Sequence, residues 1–199
     1  MPSLTSILAV GAFASLAVAD NLYTYTKPGC TGPAFFFKDI DHNVCAVSIT
    51  GSATSIADAI AKGITTVASG KLEVQETGKK HFLAWDEGPA SNADGPLQCG
   101  NIANNVAVKK RETCISGSFH GFSWTEPGAG GKSKARRQAN SDAIWTCTGS
   151  TDPDAVHIGG KYYKVKNIPA ADKEALIKAA WNDVVPGAEF NKYVFKPVV

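Results

Sequence analysis

Five cysteines are the residues whose chemistry follows most directly from this sequence: Cys30, Cys45, Cys99, Cys114 and Cys147. Fourteen residues separate the first two cysteines, and fourteen separate the next two. This equal spacing favours the disulfides Cys30–Cys45 and Cys99–Cys114 among the three connectivities that four cysteines allow. Cys147 is then a free, buried thiol, with a disulfide-linked dimer as the alternative. Because no CxxC or Cys/His spacing typical of zinc sites occurs, we predict no metal and no cofactor.

Two histidines are the main candidates for acid–base chemistry. His42 lies beside Asp39 and Asp41, a trio that could bind a metal, although polar residues in a turn usually form a solvated loop. His120 lies in a stretch that alternates aromatic and polar residues, as a strand does, with Glu112 nearby in sequence. No HExxH, GxSxG, phosphate-binding or dinucleotide-binding motif is present. We therefore predict that the chain is not an enzyme, with a small nuclease or hydrolase as the weakest alternative.

Two basic clusters form a further candidate site: Lys109, Lys110 and Arg111, followed by Lys132, Lys134, Arg136 and Arg137. The second cluster lies in a segment without bulky apolar residues, which predicts an exposed, flexible linker over 128–140. Arg136-Arg137 is a dibasic site that a Golgi processing protease would cleave. The two clusters together also resemble a loose bipartite nuclear-import signal. A solvated linker without further function is the third interpretation, and the sequence leaves all three open.

The first nineteen residues indicate the compartment. Met1–Ala19 contains no charged side chain and ends in the small-x-small pattern Ala17-Val18-Ala19 that signal peptidase recognises. Its apolar run is shorter than the roughly 20 residues that span a bilayer, so we predict secretion without a transmembrane segment. The mature chain would begin at Asp20. A formal net charge of +2 is low for a protein dedicated to nucleic acid, although nucleic acid stays open as a partner.

The elements that position these residues are mostly strands. Aromatic and β-branched runs predict an α+β, disulfide-stabilised fold that is mainly antiparallel β. Helical periodicity predicts one short helix near 53–62 and a C-terminal helix near 169–185, and two alternating runs predict a hairpin that turns at Gly159-Gly160. The apolar stripe of the C-terminal helix comprises Leu176, Ile177, Ala180, Trp181 and Val184. The predicted organisation is a signal peptide (1–19), a β-rich domain (20–127), a basic linker (128–140) and a hairpin–helix–strand segment (141–199) on or beside that domain.

One segment resembles a known motif. Tyr25, Cys30 and Gly32 have the spacing of an aromatic residue, four residues, an aromatic residue, one residue and Gly, and an Asp39-Ile-Asp41 turn follows. This pattern resembles a half-motif of βγ-crystallins and killer-toxin-like proteins, with Cys30 in the second aromatic position. The family's calcium signature is absent after Asp39, so the resemblance implies no calcium site.

The whole chain resembles small, secreted, cysteine-containing effectors of filamentous fungi, because it combines a signal peptide, few cysteines and a dibasic linker. This resemblance implies a non-enzymatic, monomeric protein that binds a host protein or another host macromolecule, modulates host immunity, and reaches the host nucleus if its basic clusters direct import. The alternative is a secreted killer toxin or antimicrobial protein. Phe122 and Trp124, together with the basic linker, are the predicted contact residues.

Overall fold

Twelve strands, one α-helix and one 3-10 helix make up the described part of this computed structural model, which comprises residues 20–47, 66–86, 101–126 and 149–197. The strands are β1 (Asp20–Lys27), β2 (Thr31–Ile40), β3 (Val44–Val47), β4 (Val67–Glu73), β5 (His81–Asp86), β6 (Asn101–Ala107), β7 (Glu112–Phe119), β8 (Gly121–Thr125), β9 (Gly149–Thr151), β10 (Ala155–Ile158), β11 (Lys161–Lys164) and β12 (Val194–Phe195). The helix α1 spans Ala170–Trp181, and the 3-10 helix spans Ala188–Tyr193.

The strands form two sheets. The seven-stranded sheet has the order β12-β11-β10-β2-β1-β4-β7, and the five-stranded sheet has the order β6-β5-β8-β3-β9. The described strand pairs are antiparallel except for β3 with β9. The prediction of a mainly antiparallel β fold is therefore confirmed, and the structure contains a disulfide, Cys30–Cys114. Both sheets combine strands from before residue 126 with strands from after residue 149.

The main core lies between the inner faces of the two sheets. Leu22, Phe35 and Phe37 of the seven-stranded sheet share one apolar cluster with Phe82 and Phe122 of the five-stranded sheet. Strand β4 runs through Gly70, where a Cβ would lie 2.6 Å from the Phe122 ring. The missing side chain at this position lets the two sheets approach each other closely.

The helix α1 packs on the same core but is shorter than predicted. Leu176, Ile177 and Ala180 are buried, and Trp181 is half-buried with its ring centroid 5.5 Å from that of Phe35. The backbone turns after Trp181 and adopts a left-handed conformation at Asp183, with φ of 53°. Val184 is consequently 56% exposed, so its assignment to the apolar stripe is wrong.

Two local predictions near the C-terminus have different outcomes. The hairpin is confirmed, because β10 and β11 are joined by Gly159 and Gly160, whose positive φ values of 57° and 76° suit a primed two-residue turn. The last strand of the predicted hairpin–helix–strand segment is short, since only Val194–Phe195 is extended and the preceding residues form the 3-10 helix. Tyr193 ends that helix, and its hydroxyl donates a hydrogen bond to Asp172 of α1.

Several predictions fall on residues outside the described ranges: the signal peptide, the helix near 53–62, the linker 128–140, Cys99 and Cys147. Among the helices that the described ranges contain, none is long and apolar enough to cross a membrane.

Candidate functional site

The disulfides differ from the predicted pairing. Cys30 is bonded to Cys114, so the pairs Cys30–Cys45 and Cys99–Cys114 are both wrong. The reason is the sheet order, because β4 lies between β1 and β7 and the turn after β1 folds across it. Within this turn, the amide of Cys30 donates to Ser69 Oγ of β4 at 2.9 Å, and the amide of Gly29 donates to Ser116 Oγ of β7 at 3.0 Å.

Cys45 also forms a disulfide. Because Cys30 and Cys114 are bonded to each other, its partner is Cys99 or Cys147, both of which lie outside the described ranges. Cys45 itself is completely buried in β3. Three of the four cysteines that the sequence assigned to disulfides, Cys30, Cys45 and Cys114, are therefore bonded, although with other partners than predicted.

The aromatic residues predicted to contact a partner are core residues. Phe122 is 0% exposed and stacks on Phe82 with 5.4 Å between ring centroids. Trp124 is 7% exposed, and its Nε1 donates to the carbonyl oxygen of Ile40 at 2.8 Å. Their assignment as contact residues is wrong. Alternation along β8 shows that Phe122 and Trp124 share one apolar face, and in the structure this face points into the core between the two sheets.

The histidine sites of the enzymatic alternative are not assembled. His120 is buried just after β7, whereas Glu112 begins β7, so the two residues lie about 25 Å apart along the strand. His42 is exposed and makes an edge contact with the Trp124 ring, while the Asp39 carboxylate is 3.2 Å from Lys38 Nζ. Within the described residues, no three potential metal ligands lie together.

The first basic cluster is exposed. Lys109, Lys110 and Arg111 lie in the turn between β6 and β7. The carbonyl oxygen of Arg111 accepts a hydrogen bond from the amide of Val74 at 2.8 Å, which leaves the side chains at the surface. The second cluster, Lys132, Lys134, Arg136 and Arg137, lies outside the described ranges.

A site that the sequence did not predict lies on the face of the seven-stranded sheet turned away from the main core. Because side chains alternate along a strand, Tyr23, Tyr25 and Phe36 lie on this outer face while Leu22 and Phe35 face inwards. The strand register adds neighbours from β4, β7, β10, β11 and β12. We call the following residues the outer-face cluster: Tyr23, Tyr25, Phe36, Lys71, Glu73, Glu112, His157, Tyr162 and Phe195.

Aromatic rings form a continuous row in the outer-face cluster. Ring centroids lie 4.9 Å apart for Tyr23 and Phe36, and 5.4 Å apart for Phe36 and Tyr162. Tyr162 also packs against His157 at 4.5 Å and Phe195 at 6.1 Å. Such tilted and edge-to-face pairs are favourable, and they fix the rings on the rigid sheet. Tyr162, His157 and Phe195 are half-buried, so part of the row faces solvent.

Charged groups lie beside this aromatic row. Lys71 Nζ is 4.6 Å from the centroid of the Tyr23 ring and 3.6 Å from a carboxylate oxygen of Glu112. The Tyr23 hydroxyl donates to Glu73 Oε2 at 3.1 Å. Glu73 and Glu112 are directly opposite each other on β4 and β7, an arrangement of like charges that destabilises a sheet. Lys71 offsets this repulsion, because its amine lies near Glu112 and because Lys71 and Glu73 are two residues apart on the same face of β4.

The ionisation of the cluster follows from its burial. Burial raises the pKa of Tyr23 far above its ordinary value, and the nearby Tyr162 and Glu73 raise it further. Burial likewise raises the pKa of Tyr25. Burial and then the charge of Lys71 lower the pKa of His157 below 6.5. The shifted pKa values of Tyr23, Tyr25 and His157 therefore favour the uncharged form of these three rings.

One sequence signal could have revealed this site. Phe35-Phe36-Phe37 is an uninterrupted aromatic run in a strand, and such a run places bulky apolar groups on both faces of a sheet. It therefore predicts that the outer face carries rings of its own. The partners of Phe36 come from distant strands, and no local pattern specifies them.

A comparison with protein families gives a match over most of the described strands. The model of the ARB_05566_N family, described as an N-terminal domain, matches residues 21–154. The matched residues extend from β1 to the residue before β10, so β10, β11, β12 and α1 follow them. No curated protein and no solved structure matches the chain.

Proposed function

This chain belongs to the family of ARB_05566_N N-terminal domains, and we propose that it is a secreted, non-enzymatic effector that binds a host macromolecule through the outer-face cluster. A host protein is the partner that this surface suits best. Tyr23, Tyr25 and Phe36 are buried, as Phe122 and Trp124 are, so they support the surface from beneath. The contact surface consists of the half-buried and exposed members of the cluster: Lys71, Glu73, Glu112, His157, Tyr162 and Phe195. Modulation of host immunity would be the consequence of this binding.

The observation that carries the proposal is the combination of rigid rings and charged groups on one sheet face. Tyrosine and other aromatic side chains supply large contact area at a low cost in conformational entropy, and they dominate binding energy at protein interfaces. The exposed carboxylate of Glu112 and the amine of Lys71 lie at the border of the rings. Charges in such a position guide association and exclude wrong partners.

Two features support secretion as part of this proposal. Cys30–Cys114 and the disulfide of Cys45 suit an oxidising compartment, because disulfides are rare where glutathione keeps thiols reduced. Asp20, the expected first residue of the mature chain, is also the first residue of β1 and pairs with Ile40. Transport into the host nucleus would require the exposed Lys109, Lys110 and Arg111 together with the second basic cluster.

The test is site-specific crosslinking. A photoreactive phenylalanine analogue in place of Tyr162 is expected to form a defined adduct in host-cell extract. Replacing Lys71 and Glu112 together with serine should reduce the adduct at least tenfold, a loss of about 1.4 kcal/mol or more. The matched control replaces Lys178 and Glu174, an exposed pair on α1, which packs against the opposite face of the sheet.

Three results would contradict the proposal. The first is an adduct yield that does not change when Lys71 and Glu112 are replaced with serine. The second is an equal reduction of the yield by the control substitutions on α1. Alternatively, the wild-type protein would release dye from lipid vesicles or degrade RNA, and the cluster variants would retain that activity in full. Dye release would favour the killer-toxin interpretation, and RNA degradation would favour the nuclease interpretation.

A further inference from the structure

The two disulfides have very different surroundings. Cys114 is exposed on β7, which is an edge strand of the seven-stranded sheet, and its partner Cys30 is half-buried in the turn after β1. Cys45 is completely buried in β3, between β8 and β9. A Cβ on Gly121 of β8 would lie 2.9 Å from Cys45 Sγ, so the neighbouring strand packs directly against that sulfur.

Access decides which disulfide a thiol attacks, because the thiolate must approach one sulfur directly. We propose that Cys114 is a site of thiol–disulfide exchange with small thiols such as glutathione, whereas Cys45 Sγ is shielded from their attack. The inference does not depend on the proposed partner.

The exchange has two steps. In the first, the thiolate attacks Cys114 Sγ, a new sulfur–sulfur bond forms, and the bond to Cys30 breaks. The electron pair leaves on Cys30, whose thiolate takes a proton from water. In the second, another thiolate attacks the sulfur of the bound small thiol and releases Cys114 as a thiolate, which is then protonated. Overall, two small thiols are oxidised to their disulfide and the protein disulfide is reduced to two thiols.

The backbone around Cys30 favours opening. Cys30 has φ of 56°, a left-handed conformation that is unfavourable for residues other than glycine, asparagine and aspartate. Breaking the disulfide removes the covalent restraint that holds this conformation. The hydrogen bonds from Gly29 to Ser116 and from Cys30 to Ser69 do not involve sulfur, so the turn keeps them when the bond opens. The change is therefore local to the turn.

Opening this bond would alter the outer-face cluster. Cys30 packs against the buried part of that cluster, which includes Tyr23 and Tyr25. Cys114 is paired with Lys71 in adjacent strands, so its adduct would lie next to the charged groups. In the mixed disulfide, a charged, bulky group would thus lie beside Lys71 at the border of the cluster.

The test uses the wild-type mature chain in glutathione buffers of increasing reducing strength. Free thiols are blocked with one alkylating reagent, the remaining disulfides are reduced and blocked with a second, and peptides are assigned by mass spectrometry. The reducing strength of each buffer is the ratio [GSH]²/[GSSG]. Cys30 and Cys114 should become free at a ratio at least about tenfold lower than the ratio that frees Cys45. At short times, the glutathione adduct should occur on Cys114 and not on Cys30.

A fold measurement distinguishes local opening from unfolding. The far-ultraviolet circular dichroism should stay unchanged while Cys30 and Cys114 are free and Cys45 is still bonded. Three outcomes would overturn the proposal: simultaneous release of all three cysteines, earlier release of Cys45, or an initial adduct on Cys30. The cysteine that lies outside both disulfides is alkylated beforehand, because a free thiol would itself react with oxidised glutathione. The double variant Cys30→Ser and Cys114→Ser, which lacks the bond, should then form no early adduct, and an adduct at the wild-type rate would show that another cysteine is the site.

Discussion

Removing the Cys30–Cys114 disulfide should destabilise the protein by about 4 kcal/mol. The two cysteines are 84 residues apart in sequence, and the chain-entropy model gives about 4.6 kcal/mol for a closed loop of that length. The second disulfide shortens the effective loop. The shortest route through it is about 50 residues if Cys45 bonds Cys147 and about 30 if it bonds Cys99, which lowers the value to about 4.1 or 3.7 kcal/mol.

The assay is equilibrium unfolding in urea of the double variant Cys30→Ser and Cys114→Ser. The expected loss corresponds to a decrease in Tm of about 8–16 °C for a chain of this size. The control Ser116→Ala, which removes only the hydroxyl that accepts from Gly29, should cost about 1 kcal/mol. A loss below about 1 kcal/mol in the double variant would refute the calculation, because the denatured chain would then be restrained by something other than this bond.

Three further predictions concern single residues. Peptide mapping should find Cys45 bonded to Cys147, because β9 begins two residues after Cys147 and pairs directly with β3, the strand of Cys45. Cys99 precedes β6, which lies at the other edge of the five-stranded sheet, so a Cys45–Cys99 peptide would disprove this prediction. Trp181→Ala should lower the free energy of unfolding in urea by about 2 kcal/mol, which is less than the loss for a fully buried ring, because Trp181 is half-buried. A loss below about 0.5 kcal/mol, which is typical of exposed positions, would place the ring outside the core. The Tm of the wild type should fall relative to that of His157→Gln as pH falls below 6.5. The pKa of His157 is lower in the folded state than in the unfolded state, so the unfolded state binds a proton on His157 first and acid favours unfolding. Equal pH profiles of Tm would contradict this prediction.

The sequence was most informative where structure is local. The hairpin at Gly159-Gly160 follows from two alternating runs and a turn that needs positive φ at both residues. The buried face of α1 follows from the spacing of Leu176 and Ile177. These predictions need only the period of an element and the residues that bound it.

The sequence was least informative where distant strands meet. Equal cysteine spacing suggested two symmetric loops, but the order of β1, β4 and β7 brings Cys30 to Cys114 instead. Alternation in β8 indicated that Phe122 lies on an apolar face of the strand, but it did not indicate that this face packs against the other sheet. Both errors concern long-range pairing, which depends on the registers of several strands and has no local signature.

The origin of the strands in the outer-face cluster bears on the dibasic site Arg136-Arg137. Tyr23, Lys71 and Glu112 belong to strands that precede this site in sequence, whereas His157 and Tyr162 belong to strands that follow it. β10 pairs with β2, and α1 packs on the common core. Cleavage after Arg137 would therefore leave both halves of the cluster within one paired sheet. Processing and binding are thus compatible: a cleaved protein should migrate as two polypeptides after reduction and denaturation, yet keep its size and its crosslinking at Tyr162 under native conditions. Because a Cys45–Cys147 bond would also join the two fragments, the native measurement is repeated in reducing agent. Separation of the fragments under reducing conditions without denaturant would show that strand pairing and core packing are too weak to hold the two halves of the cluster together.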